Sequence, residues 1–268
     1  MSTLNPFKSW LSDKTRATPL GTWLMAAAPT TAEALGYAGF DFLVVDMEHV
    51  PIEVSDLAHI LRAIGCTPAD AVVRLAWNDQ VLVKRCMDAG ARTVMLPFVQ
   101  TAEEAKAAAS YTRYPPHGIR GVAAVHRGSK FGTIPDYLKN ANNDVCTIVQ
   151  LETPEAIERL PEIAAVEGID ALFVGPGDLS AAMGHIGNIA HPEVQALIEK
   201  AAKDAHAAGK PVGIVGPTPD MVKRFIGYGY DFAAIASDVA MMTGRANDWL
   251  GQMKGEAKPA TSAPAAAY

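Results

Sequence analysis

One repeat constrains this chain more than any other feature. Eight short apolar runs, at 20–27, 40–47, 71–76, 92–99, 145–152, 169–176, 211–216 and 231–237, alternate with amphipathic stretches. Several runs are apolar at consecutive positions, as parallel strands are when both sheet faces are covered. The stretches between them carry helix punctuation. Thr101 precedes an acidic first turn, and Pro154 and Pro192 each sit where a missing N–H costs little. Gly39, Gly90, Gly168, Gly209 and Gly229 close helices just before the next run. Residues 155–168 and 193–209 read as two such helices.

Eight strand–helix units predict a single (β/α)8 TIM barrel over residues 1–253, with a short N-terminal helix. A doubly wound open sheet is the alternative. It calls for a glycine-rich phosphate turn after an early strand, and the turn here reads AAAPTTAEA at 26–34. Residues 114–144 stand out as a long insertion, expected to be a βα loop on the carboxyl face, where long loops carry function. Residues 254–268, rich in Ala and Pro, are expected to be a disordered tail.

Composition excludes several classes. The formal net charge of −6 argues against nucleic-acid binding. No run approaches the roughly 18 apolar residues of a membrane span, and the N-terminus has no apolar signal region. Three scattered cysteines make neither a disulfide framework nor a zinc pattern, and fit a reducing cytoplasm.

Barrel enzymes place their chemistry at the carboxyl ends of the strands. Those ends carry Asp46-Met47-Glu48-His49, Arg74, Gln150-Leu151-Glu152, Gly177-Asp178 and Ser237-Asp238. Glu152 and Asp178 come from neighbouring strands. They can converge on a hard divalent cation such as Mg²⁺ or Mn²⁺, or else pair with arginines and cap helices. His49 is either a satisfied surface imidazole or an acid/base, and Asp46 and Glu48 beside it favour the second. Arg74, a permanent cation on an apolar strand, must face the barrel mouth or a partner acid. The remaining histidines read mostly as solvated, with His126 in the long insertion. No lysine lies in the carboxyl half of a strand, which argues against imine chemistry and for a metal electrophile. The turns after the last two strands, GPTPDM and ASDVAMM, do not suit a phosphate.

The segments DMEHVP (46–51), VVR (72–74), DAGA (88–91), YTRYPPHGIRGV (111–122), VQLETPEA (149–156) and VGPGDLSAAMG (174–184) together closely resemble the HpcH/HpaI aldolase family. These are metal-dependent class II pyruvate aldolases, including 4-hydroxy-2-oxoheptanedioate and 2-dehydro-3-deoxyglucarate aldolases. The resemblance implies a barrel of the phosphoenolpyruvate/pyruvate superfamily type. It also implies a homohexamer, a trimer of dimers, in which the last helix is exchanged between neighbours. It makes Glu152 and Asp178 the ligands of a divalent cation (Mg²⁺, Mn²⁺ or Co²⁺), His49 the acid/base, and Arg74 the enolate stabiliser. Gln150, Gly177 and Asp178 become substrate contacts, and Asp88 the partner of a His49. The implied reaction is reversible cleavage of a 4-hydroxy-2-oxo acid to pyruvate and an aldehyde. The segment at 126–138 looks closer to the sugar-acid branch. Two alternatives are a CoA-ester lyase of the citrate-lyase type, which expects a basic groove this acidic chain lacks, and a non-catalytic binder of 2-oxo acids. Asp88 ends a helix, at the face opposite His49, so the two are expected to meet only across a subunit interface.

Overall fold

The computed structural model describes residues 5–13 and 15–255. The eight strands are β1 (Leu20–Leu24), β2 (Phe42–Asp46), β3 (Asp70–Arg74), β4 (Thr93–Leu96), β5 (Cys146–Leu151), β6 (Ala171–Val174), β7 (Val212–Gly216) and β8 (Phe232–Ser237). They pair in parallel, in sequence order, and β8 closes on β1 to complete the barrel. The open-sheet alternative is excluded.

Among the described residues the helices are α1 (Pro6–Ser12), α2 (Pro29–Ala38), α3 (Val54–Ile64), α4 (Gln80–Asp88), α5 (Ala102–Thr112), α6 (Tyr137–Asp144), α7 (Pro154–Glu158), α8 (Leu160–Ala164), α9 (Pro176–Ala182), α10 (Pro192–Ala207), α11 (Pro219–Tyr228) and α12 (Asp238–Lys254). Thr101 opens α5 with a reciprocal capping box to Glu104. The single helix expected over 155–168 is instead two, α7 and α8. Pro161 has no N–H to continue the ladder, and the chain breaks at Arg159 (φ −88°, ψ 4°). Lys254 completes α12, and the rest of the expected tail, 256–268, lies outside the described residues.

Strand periodicity sorts the side chains into two cores. Phe42, Val44, Val72, Ile148 and Phe173 belong to the cluster inside the barrel. Leu43, Val45, Val73, Val149 and Leu172 belong to the cluster between strands and helices. The interior is plugged by aromatics at the amino end of the strands. Phe7 of α1 meets the rings of Phe42 and Phe232 edge-on, both at 5.2 Å. Gly213 has to be glycine here, because a Cβ would overlap the Phe232 ring. Asn5 caps α1, and Asp70 accepts the Phe7 N–H at 3.1 Å, so the plug is hydrogen-bonded into place.

The 113–145 segment corrects an expectation. It follows helix α5 rather than strand β4, so it joins a helix to the next strand and lies at the amino ends of the strands. Arg127 in this segment donates to the Ala89 carbonyl at 2.9 Å, at the foot of α4. The segment therefore sits on the face opposite the carboxyl-end residues of its own barrel.

Candidate active site

Continuing the interior-facing register toward the carboxyl ends gives Asp46 on β2, Arg74 on β3 and Gln150 then Glu152 on β5. The apolar interior therefore ends in a polar layer. Asp46 and Arg74 are register partners on adjacent strands. Arg74 Nε donates to Asp46 Oδ1 at 2.9 Å and Nη2 to Oδ2 at 2.7 Å. Glu48 Oε2 lies 3.0 Å from Nη1. The guanidinium carbon sits 4.2 Å over the Trp23 ring. Arg74, 1% exposed, is thus held on three sides, and a planar fork suits that geometry where an ammonium would not. Asp46 and Glu48 both pair with Arg74, and Asp46 Oδ1 also accepts the His49 backbone N–H at 3.4 Å. Asp46 Oδ1 also accepts the Glu48 backbone N–H at 3.0 Å, which shapes the turn leading to His49. His49 itself is exposed at the rim, and its ring makes no hydrogen bond among the described residues.

Glu152 is buried and heavily constrained. Its Oε1 accepts from Gln150 Nε2 at 2.5 Å and its Oε2 from the Phe98 N–H at 2.9 Å. Phe98 reaches it from a left-handed backbone conformation (φ 52°), which costs a non-glycine residue energy and is found where a site demands it. Gly175, at the end of β6, makes room. A Cβ there would come 2.6 Å from Glu152 Oε1 and 2.9 Å from Gln150 Nε2. Burial, reinforced by the nearby charges of Asp178 and Glu48, pushes the Glu152 carboxyl up to about 8. Glu48 is raised for the same leading reason, burial. Asp178 and Gly177 lie in the first turn of α9, Asp178 exposed and Gly177 partly so.

Asp46 and Glu48 thus pair with the buried Arg74, and the charges of Asp178, Glu48 and Arg74 all act on Glu152. The Gln150 Oε1 is a further buried acceptor without a hydrogen-bond donor. This all-oxygen surplus of negative charge fits a hard divalent cation.

The strand-end cluster divides in two. Asp238, one of the expected strand-end acids, is structural: it accepts the backbone N–H groups of Met25 (2.7 Å) and Ala26 (3.1 Å) and ties β1 to β8. Asp88 lies on the other face, at the end of α4, and Arg120 Nη2 donates to it at 2.7 Å. His126, 3.7 Å from Asp88, is half-buried, and desolvation holds its imidazole below its usual range. Within the chain the structure thus unites Arg74, Gln150, Glu152 and Asp178 with His49 at the rim, and separates Asp88. Three participants were not singled out from sequence: Asp46 as the anchor of Arg74, the Phe98 backbone and Gly175. Opposite charges ending two consecutive apolar strands are the signal that points to the first.

The sequence profile of the HpcH/HpaI aldolase/citrate lyase family matches residues 20–243. The chain is 57% identical to a 2-dehydro-3,6-dideoxy-6-sulfogluconate aldolase of Pseudomonas putida, over 94% of this chain and 99% of that protein. It is 44% identical to a 5-keto-4-deoxy-D-glucarate aldolase of Salmonella paratyphi A, over 88% and 91% respectively. Its fold superposes on an HpcH/HpaI aldolase/citrate lyase family protein from Burkholderia cenocepacia with a TM-score of 0.90 at 38% identity, covering 93% of this chain and 99% of that one. The chain belongs to the HpcH/HpaI aldolase/citrate lyase family and is a carbon–carbon lyase of the aldolase type.

Proposed function

We propose that this enzyme reversibly cleaves a 4-hydroxy-2-oxo acid of the 2-keto-3-deoxy sugar-acid type into pyruvate and an aldehyde. The observation that carries this is the convergence of Glu152, Glu48 and Asp178 beside a rigidly held Arg74. The relatives named for sulfogluconate and deoxyglucarate aldolases support the substrate class.

Glu152 and Asp178 would hold a divalent cation (Mg²⁺, Mn²⁺ or Co²⁺), with Gln150 Oε1 and the Gly177 backbone facing the substrate. When bound, the cation supplies Lewis-acid polarisation of the 2-oxo group. His49 takes the 4-hydroxyl proton. The electrons of the O–H bond form the aldehyde carbonyl, the C3–C4 pair becomes the C2=C3 double bond, and the C2 carbonyl π pair moves onto its oxygen, leaving the enolate of pyruvate. Protonation at C3 completes pyruvate. Arg74 has five N–H groups, of which Asp46 accepts two, while Glu48 pairs with Nη1 by charge. N–H groups on Nη1 and Nη2 are left for the enolate oxygen, and Asp46 fixes their direction before charge develops.

We further propose a homo-oligomer, a hexamer built as a trimer of dimers, in which the Asp88 edge of one subunit approaches His49 of another and α12 packs on a neighbour. Two features support this. On α12, Met242, Trp249, Leu250 and Met253 are exposed, and Asp238 alone is buried. Near Asp88, Ile119, Val122, Val125 and Phe131 are exposed as well. Among the described residues no helix is long and apolar enough to cross a membrane. That and the free Cys66, Cys86 and Cys146 support a cytoplasmic enzyme.

A pyruvate-release assay with a panel of 2-keto-3-deoxy sugar acids and a citryl-CoA-type thioester tests this reading. Turnover of sugar acids alone is expected; turnover of the thioester alone contradicts it.

A further inference from the structure

The β6-to-α10 connection carries a second group of metal-ligating side chains, beyond Asp178. His185, His191 and Glu193 each present a ligand atom, and these atoms lie within 4.8 Å of one another. The His185 and His191 rings stack at 3.5 Å, tilted by 17°. His185 Nε2 is 3.0 Å and His191 Nδ1 4.0 Å from the same oxygen, Glu193 Oε2. The His191 side chain also accepts the Glu193 backbone N–H at 3.3 Å, capping α10. Ligation through Nδ1 would exchange this cap for the metal bond, because that nitrogen has a single lone pair.

We propose that His185, His191 and Glu193 form a second cation site, which takes a borderline transition ion such as Zn²⁺, Ni²⁺ or Co²⁺ in preference to Mg²⁺. Two imidazole nitrogens and one carboxylate oxygen are the donor set such ions select, whereas Mg²⁺ favours oxygen alone. Zinc–nitrogen bonds of about 2.0–2.1 Å require the ligand atoms to draw together by roughly an ångström and the stacked rings to fan apart. Side-chain rotation of exposed Glu193 supplies most of that movement. The site joins the chain after α9 to the first turn of α10. It therefore staples the connection that begins with Gly177 and Asp178, without sharing a ligand with them.

The test is equilibrium dialysis of full-length protein against Zn²⁺ in excess Mg²⁺, with melting curves alongside. The Asp178→Ala chain, in which the mouth pair is broken, should retain one Zn²⁺. Adding His185→Ala or Glu193→Gln to it should lower that affinity at least tenfold. With Asp178 intact, His185→Ala should keep Mg²⁺-supported aldolase activity but lose the rise in Tm that Zn²⁺ gives the parent chain. Zn²⁺ binding that is undiminished by both His185→Ala and Glu193→Gln overturns the proposal. So does the absence of any Zn²⁺-dependent Tm rise in the parent chain. Two Zn²⁺ retained by Asp178→Ala, one of them lost with His185→Ala, would uphold this site while counting against the mouth pair as the catalytic cation site.

Discussion

Arg74 and Asp46 form a two-toothed ion pair at the carboxyl end of adjacent strands, with Asp46 fully buried and Arg74 nearly so. Removing one charge from such a pair leaves the other uncompensated, at a cost of about 3–5 kcal/mol. Asp46→Asn should therefore lower Tm markedly. Its kcat should fall further than the folded fraction accounts for, because Arg74 loses its direction. Parallel denaturation and single-turnover measurements check this. Wild-type kcat in the folded fraction would make Asp46 purely structural.

Arg74→Lys keeps the charge and loses the fork. An ammonium cannot meet Asp46, Glu48 and an enolate oxygen in one plane. The expected result is a fall in kcat of about 10²–10³, the scale seen when one oxyanion donor is lost, with cation affinity changed far less. Proton exchange at C3 of pyruvate should fall in parallel. A kcat near wild type would mean that Arg74 does not face the enolate.

Gly175→Ala tests the clearance around Glu152. The new methyl would press on Glu152 Oε1 and Gln150 Nε2, the two groups that define the floor of the site. Cation affinity and kcat should drop by at least tenfold while the barrel still folds, since the methyl meets side chains rather than backbone and the Gly175 backbone (φ −92°) suits alanine. Isothermal titration with Mn²⁺ and a melting curve provide the readouts. Unchanged Mn²⁺ affinity would count against Glu152 as a ligand.

The separation of Asp88 from His49 predicts complementation. A strand of five residues at about 3.3 Å each puts the two faces roughly 17 Å apart, and Asp88 is bonded to Arg120 on its own side. If the two meet across an interface, His49→Ala and Asp88→Ala chains should each be inactive, and mixed assemblies should recover part of the activity. No recovery after verified subunit exchange, or a fully active monomer, would rule out a shared site.

Much of this was legible in the sequence, for physical reasons. Strands covered on both faces are apolar throughout, so all eight stood out. A charged residue ending such a strand must face the mouth or a partner, which marked Arg74 and Glu152. What the sequence did not reveal depends on relations between segments. The Asp46–Arg74 bond follows from the β2–β3 register. Gly175 matters only because the Glu152 and Gln150 side chains approach it from β5. The Phe98 N–H reaches Glu152 through a backbone conformation that residue type does not announce. Counting the 114–144 insertion from β4 puts it on the wrong face. The capped helix α5 intervenes and returns the chain to the other end of the barrel. The break at Pro161 could have been read from proline chemistry alone.

The central claim is that a cation held by Glu152 and Asp178, and not an imine, activates the 2-oxo group. The most direct measurement is condensation of pyruvate with an aldehyde by chelator-treated enzyme, before and after addition of Mg²⁺, Mn²⁺ or Co²⁺, with borohydride present in a parallel sample. The account predicts that activity vanishes on chelation and returns with the cation, and that borohydride neither inactivates the enzyme nor attaches pyruvate to it. Full activity in the chelated enzyme, or a covalent pyruvate adduct formed with loss of activity, would contradict it.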